Sequence, residues 1–503
     1  MTQIMFVSLG CDKNLVDSEV MLALLQERGY GITNMEGEAD VVVVNSCCFI
    51  GDAKEESIEN IIELGKLKET GRLKALIVTG CLAQRYQKEI FEELPEVDAV
   101  LGTMSIEAIV DAVDETLSGK QFQCFKPLTH LPAINDKRSI TSGTYMGYLK
   151  IAEGCNKRCT YCIIPYVRGD YRSVPMEEVI TQAKHLVDNG IRELCLVAQE
   201  TTLYGIDIYG KKCLPELLRR LSEIEELHWI RLLYCYPEEI TDELIEEIRV
   251  NPKVCHYIDM PIQHSEDSVL GRMGRKTTKQ EIIDRIRFIR ERIPDIVIRT
   301  TLITGFPGET ENDHQGVLEF IDEMEFGRLG AFTYSAEEGT PAAKMGGQVP
   351  EEVKESYRDE IMQLQQEISL DVNMKQIGNI LEVVVDGYIY EDETYTCRSY
   401  MDAPDIDGMV FVKSDEELLS GDFILVKIID CNEYDLIGER VERPGYKVGD
   451  GVEYIEQFIP GQPHNYDYIK EIIYGKNFVD YKLCDGKTIH EEDIVGRAGC
   501  IMD

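Results

Sequence analysis

A short run of cysteines with the spacing C-x-x-x-C-x-x-C constrains this chain more than any other feature. Cys155, Cys159 and Cys162 lie in the stretch EGCNKRCTYCIIP. Three thiolates in so short a loop can hold three corners of a 4Fe–4S cube, whereas clusters that only carry electrons are usually held by four cysteines. The pattern therefore predicts a cluster with one iron open to a substrate or cofactor. The alternative is a zinc site, which needs a fourth ligand, and the nearest downstream candidates are His185 and Cys195.

The length and composition predict a multi-domain protein of a reducing compartment. The chain has 503 residues, too many for one core. It contains no apolar run long enough to span a membrane, and the opening MTQIMFVSLGCDKN lacks the basic and apolar regions of a signal peptide. The sixteen cysteines are therefore expected to be thiols and metal ligands of a cytoplasmic protein rather than disulfides. We expect the protein to be a monomer.

In the first part of the chain, a cysteine follows each of three predicted strands. The predicted strands of this region cover residues 3–9, 39–45, 74–79 and 97–101. Parallel sheets bind ligands at the carboxyl ends of their strands. The cysteines at the first three of those ends, which we call the auxiliary triad, are Cys11, Cys47 and Cys81. They predict a second metal site with one open position, the alternative being three buried cysteines that act as small apolar residues.

These motifs carry a family resemblance. SLGCDKNLVDSE, NSCCFI and TGCLAQR, followed by the cysteine loop, closely resemble the methylthiotransferases, which are radical S-adenosylmethionine enzymes. The resemblance covers about residues 1–443 and implies that the auxiliary triad holds an auxiliary 4Fe–4S cluster. It implies that a second 4Fe–4S cluster, which chelates S-adenosylmethionine, is held by the radical triad Cys155, Cys159 and Cys162. Cys48 departs from the family pattern, in which small non-ligand residues are more usual; Cys47 is the expected ligand.

The middle of the chain is expected to form a partial barrel. Six strand-like runs with helices between them fit the open (β/α)6 barrel of radical S-adenosylmethionine enzymes. The runs cover residues 146–152, 193–198, 229–234, 256–260, 297–303 and 328–334. The resemblance implies that Tyr161 packs near the adenine and makes Gln199 and Glu200 candidates for binding the methionine amino group, although both could be ordinary loop residues. TLITGFPGET is expected to line the adenosyl pocket, and His264 to be structural rather than catalytic. No residue is assigned as an acid–base catalyst.

The last part of the chain bears on the substrate. Residues 376–443 resemble the TRAM module, a small β-barrel with which the family grips its substrate. They contain five Lys and Arg against seventeen Asp and Glu, within a chain of formal charge −40. Such a surface suits a basic protein better than the phosphates of tRNA, although acidity also aids solubility. RSYMDAPDIDG further resembles the branch of the family that modifies small-subunit ribosomal protein twelve.

The sequence as a whole predicts an α/β protein of four parts. The parts are an N-terminal open parallel-sheet domain (1–120), the radical S-adenosylmethionine core (141–372), the TRAM barrel (376–443) and a short extension of unknown role (444–503). The resemblance implies methylthiolation of an aspartate β-carbon in two S-adenosylmethionine-dependent steps, with flavodoxin or ferredoxin as reductant. The partner is expected to be a basic ribosomal protein. The protein itself is expected neither to bind nucleic acid directly nor to associate with a membrane. The alternatives are a tRNA methylthiotransferase and a non-enzymatic iron–sulfur scaffold.

Overall fold

The computed structural model describes residues 1–69, 71–132, 138–441, 451–454, 465–474, 479–483, 487–490 and 494–497. The chain divides into two compact units, Met1–Gln365 and Gln366–Asp503. The first unit holds an N-terminal sheet domain and a partial barrel, and the second holds a small closed β-barrel and a further sheet. Much of the predicted extension at 444–503, including Cys500, lies outside the described residues.

The N-terminal domain is a six-stranded parallel sheet. Its strands are Gln3–Ser8, Gly31–Thr33, Val41–Ser46, Ala75–Gly80, Ala99–Leu101 and Phe122–Cys124. Counted along the chain, their order across the sheet is second, first, third, fourth, fifth and sixth. The third and fourth strands are buried along their whole length because apolar cores cover both faces of the sheet. The two edge strands were not predicted because an edge strand needs little apolar surface, and neither has a fully buried residue.

Helices cover this sheet, and the first of them matters for the site. The helices of four or more residues are Asp12–Arg28, Gly51–Gly65, Cys81–Tyr86, Lys88–Glu93 and Ile109–Leu117. The amphipathic pattern of the sequence predicts the first helix from about Asp17 to Arg28, with Gly29 as its stop, but the helix begins directly after Cys11. Three polar residues after that cysteine therefore belong to the first helical turn. The helix ends, as predicted, at Gly29, whose φ of 96° is left-handed.

The centre of the chain is an open, parallel six-stranded barrel, as predicted. Its strands are Met146–Lys150, Glu193–Val197, Trp229–Leu232, Val254–Asp259, Val297–Thr304 and Arg328–Thr333. They lie in chain order across the sheet. The helices of this region are Ile164–Val167, Met176–Asp188, Ile206–Tyr209, Leu214–Ser222, Asp242–Val250, Asp267–Met273, Lys279–Arg292 and Glu311–Met324. The helix Glu351–Met374 then leads out of the first unit.

The second unit contains the predicted small β-barrel. Five strands close it, namely Ile380–Ile389, Thr394–Ser399, Val410–Lys413, Phe423–Cys431 and Leu436–Val441. A separate five-stranded sheet follows, formed by Gly451–Tyr454, Asn465–Tyr474, Val479–Leu483, Thr488–His490 and Ile494–Arg497. Among the helices of the described ranges, none combines the length and apolar character needed to cross a membrane.

Candidate active site

The strand register brings the auxiliary triad to one edge of the N-terminal sheet. Ser8 lies opposite Asn45 on the neighbouring strand, and Asn45 lies opposite Thr79 on the next. These three positions are level near the carboxyl ends of adjacent parallel strands. Each is followed, two or three residues later, by a member of the triad Cys11, Cys47 and Cys81. Cysteines more than thirty residues apart in sequence are thereby neighbours at one strand-end edge.

The backbone around the triad is close-packed. Gly10 has a left-handed φ of 88°, and a Cβ atom added there would lie 2.8 Å from the Cys47 sulfur. Asn14, in the first turn of the helix after Cys11, donates from Nδ2 to the Ser46 carbonyl over 3.1 Å. Its Oδ1 lies 3.8 Å from the Cys81 sulfur. Asn14 therefore ties the helix to two of the strand ends that carry cysteines.

Cys47 and its neighbour Cys48 have different surroundings. The backbone N–H of Cys47 donates to the Ser57 hydroxyl over 2.9 Å, and that hydroxyl donates back to the Cys47 carbonyl over 3.0 Å. The Cys47 side chain faces Gly10. Cys48 is fully buried and packs with apolar side chains such as Val44 in the core beneath the sheet. The position of the Cys47 side chain, against the residue that precedes Cys11, supports Cys47 as the ligand.

The donor chemistry of the auxiliary triad fits an iron–sulfur cluster. Burial, together with the charges of the Cys81 and Cys11 thiols, raises the pKa of Cys47 to about 12. Burial also raises the pKa of Cys81, although the Arg168 guanidinium opposes this. Cys47 and Cys81 are buried, whereas Cys11 is exposed. Cysteine thiols become metal ligands by releasing their protons as the metal binds. The nearby guanidinium supplies positive charge for the thiolates that result.

Arg168 is the central buried charge of the first unit. Its Nη1 donates to Asp17 over 2.7 Å and to Glu153 over 3.1 Å, and its Nη2 donates to Oδ1 of Asn14. The Lys150 ammonium also contacts Asp17 and Glu153. Burial opposes ionisation of Glu153, but Lys150 and Arg168 lower its pKa to about 2. Two cations and two anions thus form a neutral buried group between the sheet domain and the barrel.

The radical triad lies in the loop that follows the first barrel strand. Gly154 has a φ of 81°, and a Cβ atom there would lie 2.2 Å from the Asp170 carbonyl oxygen, so the loop needs glycine at its start. The Lys157 backbone N–H lies 3.4 Å from the Cys155 sulfur and donates to it. Burial, together with the Cys159 thiol, raises the pKa of Cys155 to about 11. The loop therefore carries three cysteines within eight residues, a donor set that fits the same chemistry as the auxiliary triad.

The zinc alternative gains no support from its two candidate ligands. His185, at the end of a helix, lies 3.3 Å from the Asn189 amide, and Cys195 is buried within the second barrel strand. Across the ranges that the structure describes, no three Cys, His, Asp or Glu side chains are grouped closely enough to hold a metal ion, and this includes the cysteines of the two triads. His264 is buried, and its Nδ1 accepts the Glu266 backbone N–H over 3.0 Å, which supports a structural role.

The two polar residues predicted at the second barrel strand lie beside the radical triad's loop. Gln199 donates from Nε2 to Glu153 over 2.8 Å, but its buried Oε1 has no hydrogen-bond partner among the described residues. Glu200 is fully buried, and its Oε2 lies 3.9 Å from the Lys157 ammonium. Burial raises the pKa of Glu200 to about 8. Buried acceptors without partners fit a polar ligand such as the amino acid end of S-adenosylmethionine.

Tyr161 lies on the apolar side of the same loop. Its ring centroid is 6.4 Å from that of Phe306, which belongs to TLITGFPGET, and Phe306 in turn is 5.3 Å from Tyr334. The Arg275 guanidinium carbon lies 4.3 Å from the ring centroid of Tyr236. Nε and Nη1 of Arg275 are buried without hydrogen-bond partners among the described residues. This aromatic wall beside an unsatisfied cation fits the flat, polar adenosyl group.

Sequence reasoning missed several residues of this site. Asn14, Ser57, Arg168 and Arg275 were not singled out, because each acts through contacts with residues far away in the chain. One signal was available for Asn14. The letters DKN directly after Cys11 place polar residues where a buried helix start would otherwise be apolar.

Three family models match the chain in order. They are the uncharacterized protein family UPF0004 at residues 3–102, the radical SAM superfamily at 149–321 and the TRAM domain at 377–441. The chain is 55% identical over 436 residues to the ribosomal protein uS12 methylthiotransferase RimO of Lachnoclostridium phytofermentans, covering 87% of this chain and 99% of that protein. It is 50% identical to the protein of that name from Thermoanaerobacter, covering 87% of this chain and all of the relative.

Proposed function

We propose that this chain, which belongs to the RimO family of ribosomal protein uS12 methylthiotransferases, attaches a methylthio group to the β-carbon of an aspartate in uS12. The observation that carries the proposal is the buried Arg168, which bonds both to Asn14 beside the auxiliary triad and to Glu153 two residues before Cys155. The reaction requires one centre that supplies sulfur and one that forms a radical. The two cysteine triads lie within one compact unit, which fits this requirement.

The residues of the chain hold and shield the cofactors. When bound, two 4Fe–4S clusters and S-adenosylmethionine supply one-electron reduction, a carbon radical and the methylthio sulfur. We propose that the auxiliary triad holds one cluster and the radical triad the other. Gln199 and Glu200 would accept hydrogen bonds from the amino group of S-adenosylmethionine, and Tyr161 and Phe306 would lie against its adenine. An unactivated C–H bond is too weakly acidic for a side-chain base, so the contribution of the protein is position and exclusion of water.

The acidic β-barrel supports a basic protein substrate rather than tRNA. The five-stranded barrel exposes acidic side chains, with Glu391, Asp392 and Glu393 at the turn between its first two strands. Phosphate groups would be repelled by such a surface, whereas a basic ribosomal protein would be attracted to it. Asp402 in the family-like stretch RSYMDAPDIDG does not contribute to this surface, because it is 1% exposed and accepts a hydrogen bond from Ser399.

The remaining features of the proposal concern organisation and partners. We propose a cytoplasmic monomer with functional boundaries at 1–120, 141–372 and 376–443, which are close to the matches of the three family models. The clusters need a one-electron reductant of low potential, and we propose flavodoxin or ferredoxin for this role. The extension at 444–503 is left without a role.

Mass spectrometry of ribosomal proteins and tRNA from cells with and without this gene tests the function. We expect the methylthio mass on uS12 to disappear without the gene and to return with it, while tRNA modification stays the same. Loss of a tRNA methylthio group with an unchanged uS12 would mean that tRNA, and not uS12, is the substrate. No change in either pool would leave only the scaffold alternative.

A further inference from the structure

The two residues after Cys11 form a buried ion pair. The Lys13 ammonium lies 2.9 Å from Oδ1 of Asp12, and both side chains are more than nine-tenths buried. The same ammonium lies 3.1 Å from the ring centroid of Tyr234, whose hydroxyl donates to Oδ1 of Asp12 over 3.1 Å. Oδ2 of Asp12 is buried and has no hydrogen-bond partner among the described residues. A buried pair with an unused oxygen is costly for stability alone, which points to a ligand.

Tyr234 places this pair between the two cysteine triads. It follows the third barrel strand, and its pKa is raised by burial and by the charges of Asp12 and Cys11, although the Lys13 ammonium opposes this. The ring centroid of Tyr236, two positions on, lies 5.0 Å from the ammonium of Lys157, which belongs to the loop of the radical triad. The Cα atoms of the two tyrosines can be no more than about 7 Å apart. Lys13, two residues after Cys11, therefore contacts a barrel segment that also borders the loop of the radical triad.

The backbone of Tyr234 is held in an unusual conformation. Its φ of 60° lies in the left-handed region, which a residue other than glycine adopts only when the surrounding structure holds it there. The Tyr234 N–H donates to Asp259 over 3.0 Å, and its carbonyl accepts the N–H of Thr201, next to Glu200, over 3.1 Å. The barrel thus fixes the ring against Lys13 from two strand ends.

We propose that Lys13 binds the side-chain carboxylate of the target aspartate and that Asp12 accepts a backbone N–H of the substrate through Oδ2. The inference rests on the proposed function. One carbon of the substrate has to meet both centres, so its side chain has to lie between them. A carboxylate that enters so dry a space needs a cation, and an ammonium has three N–H donors, of which Asp12 occupies one. Arg168 is less suited, because it is already bonded to Asp17, Glu153 and Asn14.

The test is a double-mutant cycle on the full chain with both clusters reconstituted. The probes are a synthetic uS12 peptide that carries the target aspartate and the same peptide with asparagine in its place. We expect the wild type to bind the aspartate peptide about tenfold or more tightly than the asparagine peptide. Lys13→Met should bind both peptides equally, and Lys13→Arg should keep most of the preference. The control Lys66→Met removes an exposed lysine and should behave like the wild type.

Further measurements separate this role from a structural one. The two affinities are compared within one protein, so a general loss of fold would weaken the binding of both peptides alike, and iron content is measured in Lys13→Met. If that variant fails to hold iron, the ratio of the two affinities is measured in Lys13→Gln instead. A preserved aspartate preference in the Lys13 variant, or no preference in the wild type, overturns the inference even when uS12 is methylthiolated in cells. Absence of uS12 methylthiolation in cells would instead overturn the proposed function.

Discussion

Nη1 of Arg168 lies 2.7 Å from Oδ2 of Asp17, and this contact joins the loop after Cys162 to the helix after Cys11. Arg168 is 1% exposed and Asp17 is 3% exposed. A guanidinium buried this deeply is stable only while its partners are in place. The contact therefore fixes the N-terminal sheet domain against the barrel at the level of the two triads, and the relative position of the centres depends on it.

Replacing Arg168 should destabilise the first unit strongly. Arg168→Met leaves the Asp17 and Glu153 carboxylates with one buried cation fewer, and the expected loss in free energy of unfolding is about 3–5 kcal/mol. Arg168→Lys keeps the positive charge but loses the planar guanidinium with its paired N–H donors. Its free energy of unfolding should therefore lie between those of the wild type and Arg168→Met. Urea unfolding followed by fluorescence of the single tryptophan, Trp229, measures the loss. Arg28→Met removes an exposed ion pair and serves as control, so an equal effect in both variants would contradict the prediction.

Removing the radical triad should halve the iron. A variant with all three of its cysteines changed to alanine keeps the auxiliary triad and should retain about half of the wild-type iron after anaerobic reconstitution. Reductive cleavage of S-adenosylmethionine should be abolished. Iron analysis and chromatography of 5′-deoxyadenosine measure the two effects. Formation of 5′-deoxyadenosine by this variant would show that the radical site lies elsewhere.

The adjacent cysteines Cys47 and Cys48 should respond differently to alanine. Cys48→Ala changes a core side chain and should retain both clusters and methylthiolation. Cys47→Ala removes the thiol that faces Gly10 and should lose the auxiliary cluster. Iron content and the electron paramagnetic resonance of the reduced protein distinguish the variants. The reverse pattern would mean that Cys48, and not Cys47, is the cluster ligand.

Glu200 should make the stability of the cluster-free protein depend on pH. Burial raises its pKa from an ordinary value of 4.5 to about 8, so the folded state binds a proton that the unfolded state has lost. The stability from this proton is complete below about pH 4.5 and is lost as the pH rises towards 8. Glu200→Gln carries no such proton and should therefore gain stability relative to the wild type over this range. Urea unfolding at pH 5, 7 and 9 measures the difference in free energy of unfolding between Glu200→Gln and the wild type. A difference that stays constant over this range would contradict the prediction.

Reversing the acidic turn of the small β-barrel should slow association with uS12. Changing Glu391, Asp392 and Glu393 to lysine replaces three exposed carboxylates, and the rate constant should fall about tenfold at low salt and less at high salt. Stopped-flow mixing with the ribosomal protein measures the rate. A matched control reverses three exposed residues of the helix Gly51–Gly65, namely Glu55, Glu56 and Glu59. Equal slowing in both variants would mean that net charge, not the barrel surface, governs association.

Much of the architecture could be predicted because buried parallel strands have a plain signature in sequence. The run ADVVVVN gave the strand Val41–Ser46, and all six barrel strands were placed within a few residues of their observed ends. The edge strands Gly31–Thr33 and Phe122–Cys124 were missed because an edge needs little apolar surface. The start of the first helix was placed too late, because its first turn carries polar residues that serve the site rather than the core.

The sequence by itself was enough to predict the two cysteine triads as cluster ligands, because local spacing and strand ends are both readable along the chain. Only the tertiary structure decided which other residues join them. Arg168 reaches Asn14 across 154 positions, and Tyr234 reaches Asp12 across 222. Such contacts leave no periodic signal, because they depend on how the sheet domain packs against the barrel. Burial then sets their strength, since charges removed from water have to find partners wherever the fold places them.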